Sequence, residues 1–290
     1  MAHQILINSL IAGSIYGLVA LSFSLIFSTT RFFHFAHASV VSLGAYGVLW
    51  ALRTLRLPFA LSLVAGIFLA ALLGGLMELA IYRPMRKRKA SSLVLLLASL
   101  GLFVVLQNLI SVIFGDATQS IRVWEISESP NILGLRITRT QVAIIGVSSL
   151  FFITIGLLLK LTNIGRLMRA LANDPELLRI RGVNIEQTIL SVFLAGSTLA
   201  GIAGILMACD LDLTPLMGYR ALLMGVAGAV VGGINRPFGA VLGGFLIGLV
   251  ENFSGWWISV NWQEAIVFVV LVAFLLLRPQ GFLGKQLKAT

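Results

Sequence analysis

The chain has 290 residues, of which 58% are hydrophobic and 11% charged, at a mean hydropathy of +1.00. That composition excludes a soluble globular domain, and no long polar stretch is left over to form one. The formal charge of +10 would suit nucleic acid, but the basic residues cluster at the ends of apolar runs, as in a membrane protein that binds none.

Runs of roughly 20 apolar residues, each enough to cross a hydrocarbon core, recur along the chain. The first covers 5–27. It follows Met1-Ala-His-Gln, which carries no Lys or Arg and does not read as a signal peptide. Polar residues from Ser28 to Ala38 predict a break or a re-entrant piece before a second span at 35–52. His34 and His37 lie three apart there and could share a helix face. Without a nearby Cys, Asp or Glu they make a poor metal set, so a helix-end or pathway role is expected and no metal or other cofactor.

A third span covers 59–81 and contains Glu78. Intramembrane carboxylates are functional by default, but Glu78 also stands close to the basic run Arg83, Arg86, Lys87, Arg88 and Lys89 and could pair with it. A fourth span covers 92–114. Its Gln107 and Asn108 suit interhelical hydrogen bonds or a substrate pathway, as do Glu251 and Asn252 further on. The segment 115–140 is the longest polar stretch and reads as a loop outside the membrane with little structure. A fifth span covers 142–160.

Next comes a polar island, Gly165 to Asn184. Gly165 ends the preceding apolar run, and Arg166 to Ala172 then suits one short helix. Asp174 is a good N-cap, Pro175 fits the first helical position, and Glu176 complements the positive end of the helix dipole. Arg179 and Arg181 fall in the last turn, and Gly182 is placed for a left-handed C-cap. Two short helices at the membrane surface are therefore expected. Two readings stand: an amphipathic pair resting on lipid, or a rigid surface for a soluble partner.

Further spans fall at 188–208, 220–234, 238–252 and 264–277. Gly232-Gly-Ile-Asn-Arg-Pro-Phe-Gly239 predicts a tight turn between two short helices, which hints at half-helices. Gly13 and Gly17, Gly228 and Gly232, Gly239 and Gly243, and Gly244 and Gly248 are each four apart. Such pairs let helix backbones approach closely, either within the chain or at an interface that moves or meets a second subunit.

Nine spans, or eight to ten allowing for breaks, give an all-α polytopic membrane protein, a single domain over 1–290. Counting alternate sides collects Arg31, both basic clusters, Arg236 and the tail (Arg278, Lys285, Lys288) on one face. The positive-inside rule makes that face cytosolic, with the C-terminus cytosolic and the N-terminus outside. The loop 161–187, which contains the island, is then cytosolic.

Four stretches carry a resemblance: Asn8–Leu21, Arg31–Tyr46, the island, and Arg278-Pro-Gln-Gly-Phe-Leu-Gly284. In order and spacing they resemble the membrane subunits of branched-chain amino acid ABC importers, the LivH-type permeases. Residues 34–39 depart from that family's usual Asn-x-Ala-His-Gly pattern. The resemblance implies half of a translocation pore in a bacterial inner membrane. It implies a homologous second permease, two cytosolic ATPase subunits and an extracytoplasmic solute-binding protein. In the island, Gly165, Arg166, Arg169, Ala170, Leu171, Ala172, Asp174, Pro175 and Gly182 match the family's coupling segment, which docks on the ATPase. The cargo implied is a branched-chain or other hydrophobic amino acid, with urea and short amides carried by close relatives.

The chain has no phosphate loop: Gly284-Lys285 lacks the earlier Gly and the Ser/Thr. An outside energy source is expected, and no catalytic residue is assigned. The rival class is an ion-coupled secondary transporter, for which Glu78 is the one well-placed carboxylate.

Overall fold

The computed structural model describes residues 2–121, 131–132, 135–257, 259, 262–278 and 280–283. The loop residues Arg122, Glu125, Glu128, Pro130 and Gly134 and the tail residues Pro279, Gly284, Lys285 and Lys288 lie outside the described residues.

Every predicted span is a helix. They are α1 (Ala2–Thr30), α2 (His37–Arg53), α3 (Phe59–Met77), α5 (Ser92–Phe114) and α6 (Arg139–Leu161) in the first half. The second half holds α9 (Ile185–Asp210), α10 (Met217–Gly232), α11 (Pro237–Trp257) and α12 (Gln263–Leu277). A π-helical turn, Glu78–Tyr82, joins α3 to the short α4 (Arg83–Lys87). The island forms α7 (Asn163–Asn173) and α8 (Pro175–Ile180). In the polar loop, β1 (Asn131–Ile132) and β2 (Leu135–Arg136) pair antiparallel, and Gln119 bridges to Leu213.

Among the described residues, six helices are long and apolar enough to cross a membrane, the α3–α4 rod counted as one. α2, α10 and α12 are shorter. For α2 the reason is the break at 31–36. Its first residue, His37, meets Ser22 of α1 at 2.8 Å, two turns before α1 ends, so α2 starts inside the protein. α10 also starts inside, its Gly218 amide donating to Ser42 Oγ of α2 at 3.1 Å. The predicted turn at 232–239 is present. Only α10 is short beside it, because α11 runs on to Trp257, past the expected end at 252.

The chain repeats its own architecture in the opposite direction. α1, a six-residue break at 31–36, α2 and α3 are matched by α9, a six-residue break at 211–216, α10 and α11. α1 packs on α10 and α11, α9 packs on α2 and α3, and α2 meets α10 between them. Inverted repeats of this kind, with helices broken near the middle, are a common transporter plan.

Burial separates inner from outer helices. The apolar stretch of α1 is 83% buried and that of α9 67%, against 22% for both α5 and α6. Helices apolar on all sides but poorly covered present their surface to lipid or to another membrane subunit. The paired glycines serve the inner helices. A Cβ on Gly248 would stand 2.5 Å from the Gly13 amide, and one on Gly244 2.5 Å from that of Gly17. Gly228 and Gly232 meet Gly243 and Gly239 in the same way across α10 and α11. These are contacts within the chain, so the glycine spacing answers to tight packing.

Candidate functional site

Contacts define two polar faces. Arg31, α7, α8, the 233–236 turn and the start of α9 gather on one, the basic face. Arg53, Gln119, Asp210, Arg220 and Glu251 gather on the opposite one.

On the basic face the island is built by successive caps. Thr162 Oγ1 accepts from the Gly165 amide at 3.0 Å and opens α7. The helix thus begins at Asn163, three residues before the expected Arg166. Gly165 lies within it rather than ending the preceding span. Its role is close approach: a Cβ there would stand 2.5 Å from Leu159 Cα, so α7 could not fold back on the end of α6. Gly165, Met168 and Leu171 form the buried stripe, Ala170 and Ala172 are half-buried at its edge, and Arg166 and Arg169 are exposed. The Arg166 guanidinium donates to Asn163.

Asp174 turns the chain from α7 into α8. Its Oδ1 accepts from the amides of Glu176 at 3.0 Å and Leu177 at 3.1 Å, and Pro175 occupies the first helical position. α8 closes in a Schellman arrangement: Gly182, at φ +72°, donates to Arg179 O, and Val183 donates to Leu178 O at 3.1 Å. Asn184 then caps α9 through the Gln187 amide at 3.2 Å. Backbone groups are paired at every junction, so the segment is a jointed but rigid unit.

Arg31 ties this unit to the membrane helices. It sits in the left-handed region, φ 57°, where α1 ends. Its guanidinium donates to Ala172 O in the last turn of α7 at 2.6 Å and to Asn235 Oδ1 in the α10–α11 turn at 2.7 Å. A cation at a helix C-terminus is also favourable to the dipole. Sequence reasoning placed Arg31 on the same side as the island, where the structure has it, but gave it no role. Its partners lie 141 and 204 residues away, and no local signal points to them.

Glu78 lies at the basic face, fully buried beside Arg86, whose Nη1 donates to Oε2 at 2.9 Å. Arg86 also reaches Glu186 at 3.0 Å, as does Arg83 at 3.5 Å. Glu78 is thus paired with the basic run, as one of its two readings expects. The network fastens the π turn to the first turn of α9, directly after the island.

His34 and His37 come together, ring centroids 5.5 Å apart, both fully buried. His37 Nε2 and the Ser22 hydroxyl share a hydrogen bond of 2.8 Å, and Ser22 Oγ also lies 2.8 Å from Val19 O. His34 Nδ1 lies 3.1 Å from the Tyr82 hydroxyl and 3.3 Å from Ser99 Oγ. The pair holds the break between α1 and α2 against the π turn and α5. Gln107 and Asn108 separate. Gln107 faces inward, buried, with no partner for its amide among the described residues. Asn108 faces outward and donates to Val104 O at 2.8 Å on its own helix.

Among the described residues, two cavities stand out on opposite faces. A crevice of about 830 Å³ lies on the basic face between α1, α6, α7 and α11. A polar pocket of about 300 Å³ opens on the opposite face, around Tyr16, Gln141, Asp210, Arg220 and Glu251. Arg220 reaches Glu251 at 3.2 Å and Glu264 at 3.1 Å. Sequence reasoning missed this ion cluster because Arg220 pairs across helices.

A family model described as "Branched-chain amino acid transport system / permease component" matches residues 5–275. The chain is 28% identical to the high-affinity branched-chain amino acid transport system permease protein LivH of Escherichia coli K12, over 97% of this chain and 95% of the relative. It is 28% identical to BraD of Pseudomonas aeruginosa, described in the same words, over 97% and 95%. It is 27% identical to a probable LivH of Methanocaldococcus jannaschii, over 98% and 93%. Among solved structures, PsaBC from Streptococcus pneumoniae in complex with Fab aligns with 93% of this chain and 89% of its own, with a TM-score of 0.50 at 14% identity, a likeness of fold alone.

Proposed function

Since the chain belongs to the branched-chain amino acid transport permease family and is a membrane permease subunit of an ABC importer, we propose that segment 161–187 receives the stroke of a separate ATPase. The rest of 1–290 is a single permease domain that passes the cargo. The observation that carries this reading is the capped, rigid α7–α8 unit joined through Arg31 to both the α1–α2 break and the α10–α11 turn. A push on such a unit moves two helix junctions at once. Exposed Arg166 and Arg169 then face the ATPase. Gly165, Ala170, Ala172, Asp174, Pro175 and Gly182 give the unit its shape.

The basic face is the cytosolic one on this reading, and the C-terminus lies there. Phe282 and Leu283 donate to Val231 O and Gly232 O beside the α10–α11 turn, and the excess of Lys and Arg on that face supports the assignment. The partners are a homologous second permease, two ATPase subunits and an extracytoplasmic solute-binding protein. The cargo is a branched-chain or other hydrophobic amino acid, the class named for LivH and BraD. The chain performs no covalent chemistry: it has no phosphate loop, and ATP is hydrolysed elsewhere.

An ion-coupled mechanism is disfavoured by Glu78, whose carboxylate is held by Arg86 at the basic face instead of opening to a midplane site. The test is uptake of labelled leucine by vesicles holding the permease with its partners. Uptake requires ATP and the ATPases and is indifferent to an ionophore. Uptake by this chain alone, collapsed by an ionophore, overturns the reading.

A further inference from the structure

The crevice on the basic face has two chemically distinct parts. Its walls are apolar: Leu25 of α1, Phe152, Gly156 and Leu157 of α6, Val192 of α9, and Phe238 of α11. Its rim is cationic: Lys160 at the end of α6, Arg169 on α7, and Arg236 just before α11. No carboxylate lines it. None of the three cations has an ion-pair partner among the described residues, and all three are exposed. The hydroxyls that reach the crevice, Ser28 and Thr29, are spent on carbonyls of their own helix at 3.0 and 3.2 Å. The crevice therefore offers an anion three positive charges and offers water few free polar groups.

Its walls continue into the outer surface. Ile153 and Leu157 on α6 are 61% and 51% exposed, and Phe238 and Leu242 on α11 are 54% and 59% exposed. An apolar cleft that runs out onto a lipid-facing surface and is capped by unpaired cations at the membrane edge matches one kind of molecule. We propose that this crevice binds an anionic phospholipid. The acyl chains lie between α6 and α11, and the phosphate sits between Lys160 and Arg236, with Arg169 adding to the positive potential of the rim. Basic pockets between membrane helices take anionic headgroups by this physics. A zwitterionic lipid gains the apolar contact but not the charge term. Free phosphate gains the charge term but leaves the apolar walls unfilled. With α7 forming one side of the rim, the bound lipid touches the helix that Arg31 holds.

The test uses the full chain in vesicles of phosphatidylglycerol and phosphatidylcholine, extracted in mild detergent, with retained lipid counted by native mass spectrometry. Phosphatidylglycerol is retained in preference to phosphatidylcholine. K160Q/R236Q, which leaves α7 untouched, cuts that retention by at least tenfold, at roughly fivefold per charge. K87Q/R88Q removes the same charge from exposed positions away from the crevice and leaves retention unchanged, so a general loss of basicity is controlled. Equal retention of both lipids overturns the proposal, as does wild-type retention in K160Q/R236Q. Displacement of phosphatidylglycerol by millimolar inorganic phosphate also overturns it and makes the rim a phosphate site. Co-purification of the ATPases, measured in parallel, reports on the coupling role separately.

Discussion

Arg31 and Ala172 lie far apart in the chain, yet the Arg31 guanidinium donates to the Ala172 carbonyl at 2.6 Å. The same group reaches Asn235 at 2.7 Å, so one side chain connects the end of α1, the last turn of α7 and the α10–α11 turn. On the proposed coupling role, that junction is where movement of the island would reach the membrane helices.

Replacing Arg31 by glycine keeps the left-handed backbone and removes the junction. Each charged hydrogen bond contributes no more than about 1.5 kcal/mol, because Arg31 is exposed. R31G should insert normally and retain its ATPases but transport about tenfold less per ATP hydrolysed. The ratio of leucine uptake to phosphate release measures this. An unchanged ratio removes Arg31 from the account.

Gly165 and Gly182 should respond differently to alanine. At Gly165 the new methyl meets the backbone of Leu158 and Leu159, which cannot move aside, and overpacking of this kind costs about 1–3 kcal/mol. At Gly182 the space is open, and only the left-handed conformation at φ +72° is penalised, by about 1 kcal/mol. Thermal unfolding of the purified chain should show a larger drop in Tm for G165A than for G182A. The reverse order contradicts the assigned roles.

Glu78 and Arg86 should behave as one unit. E78Q removes the buried partner of Arg86 and leaves it paired with the half-exposed Glu186 alone, so the cost falls below the roughly 3–5 kcal/mol of a fully orphaned buried charge. E78Q/R86M removes both charges and should recover most of the lost stability. Uptake by the double variant should keep its indifference to a proton gradient. Loss of transport in a stably folded double variant would restore Glu78 as an ion-coupling carboxylate.

Much of this was legible in the sequence where the cause is local. Apolar run length gave the spans, and polarity at Ser28–Ala38 gave the break. Asp174, Pro175 and Gly182 gave the ends of α8, because capping depends on residues within one turn. The start of α7 was misjudged because Gly165 reads as a helix breaker until the end of α6 is seen packed against it. The inverted repeat was hidden altogether. Arg31-Phe-Phe-His-Phe-Ala36 and Leu211-Asp-Leu-Thr-Pro-Leu216 share no residue at any position, yet both make the same break. Arg31 with Ala172, and Arg220 with Glu251, are long-range pairs without any sequence signature. The cationic crevice needs α6, α7 and α11 assembled before it exists.

The central claim is that the exposed arginines of α7 form the ATPase-docking surface. R166E/R169E tests it most directly. The variant chain should be present in the membrane at wild-type level, while the amount of ATPase that co-purifies with it falls at least tenfold. Wild-type co-purification of the ATPases with R166E/R169E contradicts the claim.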